Sequence, residues 1–95
     1  MEIEKIDLGG GSAIGVRIPL GNAPLLVIKA ERGYLMCGYL DIAAAEKLGD
    51  AAAVVRGVRT FEDMLSAGVE EVTSAAEALG VERGMRGREA LERML

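Results

Sequence analysis

The sequence predicts an α+β fold. An antiparallel meander of strands is joined by one parallel crossover strand in a mixed sheet of about five strands, packed against three or four short helices. Three observations predict it. Up to Cys37 the apolar residues alternate or run unbroken between short turns rich in glycine and proline. From Asp41 onward the apolar spacing becomes helical and is punctuated by capping residues and glycine stops. One strand-like run, "AAAVVRGV", lies between two of those helical stretches, which calls for a right-handed crossover and a parallel neighbour.

The elements follow in order. Residues 2–8 mix charge with Ile3, Ile6 and Leu8, the composition of an outer strand. "GGGS" is a flexible turn; it lies between two strands rather than before a helix, so it does not read as an anion cradle. In "AIGVRIPL", Ile14, Val16, Ile18 and Leu20 alternate with Gly15, Arg17 and Pro19, the period of a half-buried strand. Pro19 belongs at a strand end or on an edge, because it has no N–H to give a ladder. "GNAP" is a turn, "LLVIKA" is apolar on both faces and so belongs in the centre of the sheet or under cover on both sides, "ERG" is a tight turn, and "YLMC" is again apolar throughout.

"LDIAAAEKLG" then reads as a helix with Asp41 as N-cap, Leu40 stapled against Ala45, and Gly49 as its stop; Ile42, Ala45 and Leu48 share a face. After the crossover strand, "TFEDML" starts on Thr60 as N-cap with Asp63 at the third helical position, and buries Phe61, Met64 and Leu65. Residues 69–72 fit either a short strand or a helix start. The next helix is capped by Ser74, with Glu77 three residues on, and ends at Gly80, where Val81 packs back on the last turn. "GREALERML" is a final short helix with Ala90, Leu91 and Met94 facing inward. The 95 residues are expected to form one domain.

Composition narrows the function. Apolar residues make up 51% of the chain and aromatics 3%, so the core is built from Leu, Ile, Val, Ala and Met, and the surplus apolar surface points to a homo-oligomer. A net charge of −4 argues against nucleic acid, because the arginines near the C-terminus alternate with glutamates and there are no aromatic platforms for bases. No apolar stretch reaches the length of a membrane span and no signal peptide is visible, so a reducing cytoplasm is expected. Histidine is absent, which removes the common general base, the Ser-His and Cys-His pairs and the imidazole metal ligands. No metal and no cofactor is expected.

The chemistry-bearing residues gather at the two strand-to-helix junctions, "CGYLD" and "GVRT". If the two strands are parallel, both junctions open on one edge of the sheet, where ligands of open sheets tend to sit. Gly38 and Gly57 let a ligand approach the backbone, Arg59 either grips a carboxylate or phosphate or pairs with Asp41 or a neighbouring subunit, and Thr60 adds a hydroxyl or serves as a cap. Cys37 reads in two ways. It is a thiol beside a helix start, a position that favours a nucleophile with Asp41 as orienter or proton acceptor, or it is a small buried residue at the end of an apolar strand. Asp41 is by the same reasoning either that acid or a plain cap. Tyr34 and Tyr39 read as core or interface residues with a wet hydroxyl.

These same stretches, "GYLMCGYLD", "GVRT" and "LGVERGMRGREAL", resemble the YunC-like family of small uncharacterised bacterial and archaeal proteins in order and spacing, from about Gly33 to the C-terminus. Cys37, Gly38, Asp41, Arg59, Gly84 and Gly87 fall on matched positions, while Arg86, just before the last helix, is not a capping type. The resemblance implies the α+β fold and carries no substrate, cofactor or catalytic role. Three functions are compatible with the residues: a self-associating module that binds a small anionic ligand or a protein partner at the junctions, a thiol-dependent enzyme or redox sensor built on Cys37, or a purely structural subunit of a larger complex.

Overall fold

Six strands and four helices occur in the order β1 (Glu2–Asp7), β2 (Ser12–Pro19), β3 (Pro24–Lys29), β4 (Tyr34–Met36), α1 (Ile42–Leu48), β5 (Ala52–Val54), α2 (Phe61–Ser66), β6 (Glu71–Val72), α3 (Ser74–Ala78) and α4 (Gly87–Arg93) in the computed structural model, which describes residues 1–95. The strands lie side by side in sequence order. Every neighbouring pair is antiparallel except β4 and β5, which run parallel with Tyr34, Leu35 and Met36 opposite Ala52, Ala53 and Val54. The meander and the single crossover are therefore as predicted. The sixth strand settles residues 69–72 as extended chain: Glu71 and Val72 pair with Val54 and Ala53.

The sheet separates two apolar clusters. On one face Leu26, Ile28, Leu35, Ala53 and Val55 meet Phe61 and Met64 of α2, Ala90 and Leu91 of α4, and Met94 just after it. On the other, α1 covers Met36, Ala52 and Val54 with Ala45, flanked by Leu40 and Ile42. Leu26, Leu35, Met64, Leu91 and Met94 are fully buried; each contributes roughly 1.5–3 kcal/mol relative to an exposed side chain.

Two expectations are corrected here. The buried half of β2 is Ala13 and Gly15, not the apolar set Ile14, Val16 and Ile18, which turns to the opposite face. Phe61 is the reason: its ring lies over Gly15, where a Cβ would come within 2.7 Å of Phe61 Cε1. Leu48 does not share the buried face of α1 but is 76% exposed.

The predicted caps are largely in place. The Asp41 carboxylate accepts from Ala43 N at 2.9 Å, and Thr60 Oγ1 accepts from Asp63 N at 3.0 Å. Gly49 ends α1 in the left-handed region at φ 77°. Helix α3 differs: Thr73, not Ser74, is its cap. Thr73 Oγ1 is buried, accepts from Ala76 N at 3.2 Å and Ala52 N at 3.0 Å, and donates to Asp50 O at 2.7 Å. One hydroxyl thus ties the start of α3 to the crossover strand. Arg86 precedes α4 without any side-chain cap.

Candidate functional site

Because β4 and β5 are parallel, the segments that leave them emerge at the same edge of the sheet. Because β3 is antiparallel to β4, its first residues reach that edge too. Three stretches consequently wall one cavity of about 320 Å³: Ala23 and Pro24, then Cys37, Gly38 and Tyr39, then Gly57, Val58 and Arg59. The structure brings together Cys37, Gly38, Gly57 and Arg59 of the predicted residues. It does not bring Asp41 or Thr60 to this cavity. Thr60 lines a second depression with Glu2, Glu4, Arg17, Phe61 and Glu62, and Asp41 is engaged as the α1 cap. Ala23 and Pro24 were missed, although a meander requires the turn before β3 to return to the edge where β4 ends.

Cys37 lies at the cavity wall but is 3% exposed. Its Sγ accepts the Leu26 backbone N–H at 3.2 Å, while Cys37 N donates to Leu26 O at 3.1 Å. Cys37 O has turned away to accept from Leu40 N at 3.2 Å. The sulfur thus stands in for the carbonyl that would normally continue the ladder. No carboxylate is bonded to this thiol, and the suggested partner Asp41 spends its oxygen on Ala43.

Arg59 is held by its backbone. Its N–H donates to Asp63 Oδ2 at 3.0 Å and its carbonyl accepts from Arg17 Nε at 3.0 Å. The guanidinium extends across the cavity mouth and meets only the Asn22 carbonyl, at 3.1 and 3.4 Å. Its near neighbour Arg56 is the opposite case. Arg56 pairs with Glu71 and Glu70 at 3.0 Å each, and hydrogen bonds to those two carboxylates hold its guanidinium above its ordinary pKa. Arg59 forms no ion pair, with Asp41 or with any other acid. It is the only charged residue in the cavity wall. Gly57 sits at φ 74°, a conformation that a Cβ would disfavour.

The tyrosines divide. Tyr39 is exposed at the cavity and its hydroxyl donates to Ala23 O at 3.3 Å, linking two of the three walls. Tyr34 is part-buried away from the cavity, and its hydroxyl donates to Asp50 Oδ2 at 2.8 Å. Burial, then the Asp50 hydrogen bond and charge, push the phenol up to about 12. No cluster of three or more cysteine, aspartate or glutamate side chains is arranged to hold a metal, and no helix is long and apolar enough to cross a membrane.

Three comparisons place the chain among known proteins. It is 44% identical over 88 residues to "Uncharacterized protein YunC" of Bacillus subtilis, with 88% of this chain and 85% of YunC covered. Its fold superposes with a TM-score of 0.94, at 41% identity and over 99% of this chain and 92% of the other, on the crystal structure of a protein of unknown function, TA1206, from Thermoplasma acidophilum. The sequence profile described as "Domain of unknown function (DUF1805)" matches residues 36–94, the span that holds both junctions, and the chain belongs to that YunC-like family.

Proposed function

We propose that this protein is a self-associating module that binds a small anionic ligand in the cavity at the strand-to-helix junctions, rather than an enzyme built on its thiol. One observation carries the reading: Arg59, an unpaired guanidinium with its backbone pinned, faces a cavity that has no acidic residue in its wall. A planar fork of donors held in this way suits a carboxylate or phosphate. The rest of the wall is backbone at Gly38 and Gly57 and apolar surface at Pro24, Val58 and the Tyr39 ring, which suits a compact ligand with one anionic end. The cavity is at the small end of ligand pockets. The acidic balance of the chain argues against nucleic acid, and a lone buried thiol suits a reducing cytoplasm. A protein partner inserting an acidic side chain or a C-terminal carboxylate would use the same features.

The test is a thermal melt with inorganic phosphate and with a panel of mono- and dicarboxylates, run on the wild type and on Arg59→Ala. At 100 times its dissociation constant a ligand adds about 2.7 kcal/mol of stability. An anion should raise the melting temperature of the wild type and not of Arg59→Ala. No shift with any anion, or an equal shift in both proteins, rejects the reading.

A further inference from the structure

Three of the large apolar side chains that remain exposed, Ile3, Ile14 and Leu48, lie on the side of the sheet that α1 covers only in part. The strand register aligns Ile3, Val16 and Val27 in one row, which continues into Met36 beneath α1; Ile18 and Ile14 stand in the rows on either side of it. No helix covers β1, β2 or β3 on this face. The α1 helix stands next to the bare strands as a ridge and turns an apolar stripe, Ala44 and Leu48, to solvent.

We propose that this face is where two copies of the chain meet, related by a two-fold axis parallel to the strands, each α1 seated on the bare strands of the other. This rests on the self-association in the preceding reading and names its surface.

Shape supports a second copy. A ridge beside a trough of similar width is complementary to itself under that rotation, as an isologous interface requires. Charge supports it as well. The operation keeps height along the strands, so the partner's Leu48 arrives near Ile14, which Lys5 and Lys29 flank in the register; the acidic residues beside it, Glu46 and Asp50, keep a net negative charge while accepting from Ser74 and Tyr34 of their own chain, and they arrive near those lysines. Size requires the interlock. At about 4.8 Å between strands and 3.3 Å per residue, the bare patch projects to roughly 300 Å². A stable interface needs about 800 Å² per partner. The patch alone falls short; each seven-residue α1, about 10 Å long and about 10 Å across, adds roughly 100 Å² of projected contact, so the interlocked pair lies at the small end of specific interfaces. The β1 edge is a poorer route, because Glu2, Glu4, Lys5 and Asp7 stud it with charge.

The test is sedimentation of the wild type from nanomolar to high micromolar concentration, beside Ile14→Glu, Leu48→Lys and, on the side covered by α2 and α4, Arg83→Glu. The wild type and Arg83→Glu should be dimers. Ile14→Glu and Leu48→Lys should weaken the dimer at least about 100-fold, because each places a charge in an apolar contact, the first facing the acids beside the other copy's α1 and the second facing the other copy's two lysines. Both replaced residues are exposed, so circular dichroism should report folded chains; Ile14→Thr, which suits a strand, replaces Ile14→Glu if that variant unfolds. A wild type that stays monomeric throughout overturns both the self-association reading and this face. A dimer that survives both charged variants overturns this face alone.

Discussion

Replacing Cys37 decides whether its sulfur is there for structure or for reaction. In Cys37→Ala the Leu26 N–H loses the acceptor it has at 3.2 Å. The Leu26 carbonyl, which points the same way, already holds Cys37 N, and Cys37 O is committed to Leu40 N, so the backbone offers no replacement. An orphaned buried amide costs about 1–3 kcal/mol. Water reaching it through the adjoining cavity holds the loss to the lower half of that range. Removing a packed sulfur adds about 1 kcal/mol. The total is about 2–3 kcal/mol. In a chain of this size that is roughly 10–20 °C of melting temperature. Cys37→Ser keeps an acceptor at the site and should recover about half of the loss. Differential scanning calorimetry of the three proteins measures both steps. If Cys37→Ala melts within about 0.5 kcal/mol of the wild type, the structural account of the thiol fails.

Two further predictions follow from buried polar groups. Thr73→Val is close to isosteric but strips Ala52 N, Ala76 N and Asp50 O of their shared partner, and should cost about 3 kcal/mol or more in urea unfolding, where Ser74→Ala costs well under 1. The folded-state pKa of Tyr34 is raised to about 12 from 10.0, so the protonated phenol contributes stability in full below pH 10 and the contribution is lost as pH rises toward 12. The stability gap between wild type and Tyr34→Phe should therefore narrow over that interval, with phenolate absorbance of the folded protein lagging that of the unfolded chain.

Local signals were legible in the sequence because local chemistry decides them. Asp41, Thr60 and Gly49 act within one helical turn of their own position, and each does what its residue type prefers. The parallel crossover was legible because a strand, a helix and a strand leave one favoured hand. The cavity was half legible. Cys37, Gly38, Gly57 and Arg59 converge as the parallel pairing requires, but Thr60 and Asp41 face elsewhere because capping turns a side chain back onto its own helix. The choice between Thr73 and Ser74 could not be made locally. Both are capping types, and what selects Thr73 is a pair of contacts more than twenty residues away, Ala52 N and Asp50 O.

Alternation along a strand states that two faces differ and leaves open which one is covered. In β2 the larger apolar residues, Ile14, Val16 and Ile18, face away from α2 and α4, against the simplest expectation. Volume decides the matter. The helical layer brings the chain's single phenylalanine over the sheet, and its ring needs a position with no side chain beneath it. Gly15 supplies that position. The opposite phase would set isoleucines and a valine under Phe61 and expel it, at the overpacking cost of about 1–3 kcal/mol or more. One aromatic contact with a glycine forty-six positions earlier thus fixes the phase of the strand, and that phase leaves the row of branched side chains bare on the far side of the sheet.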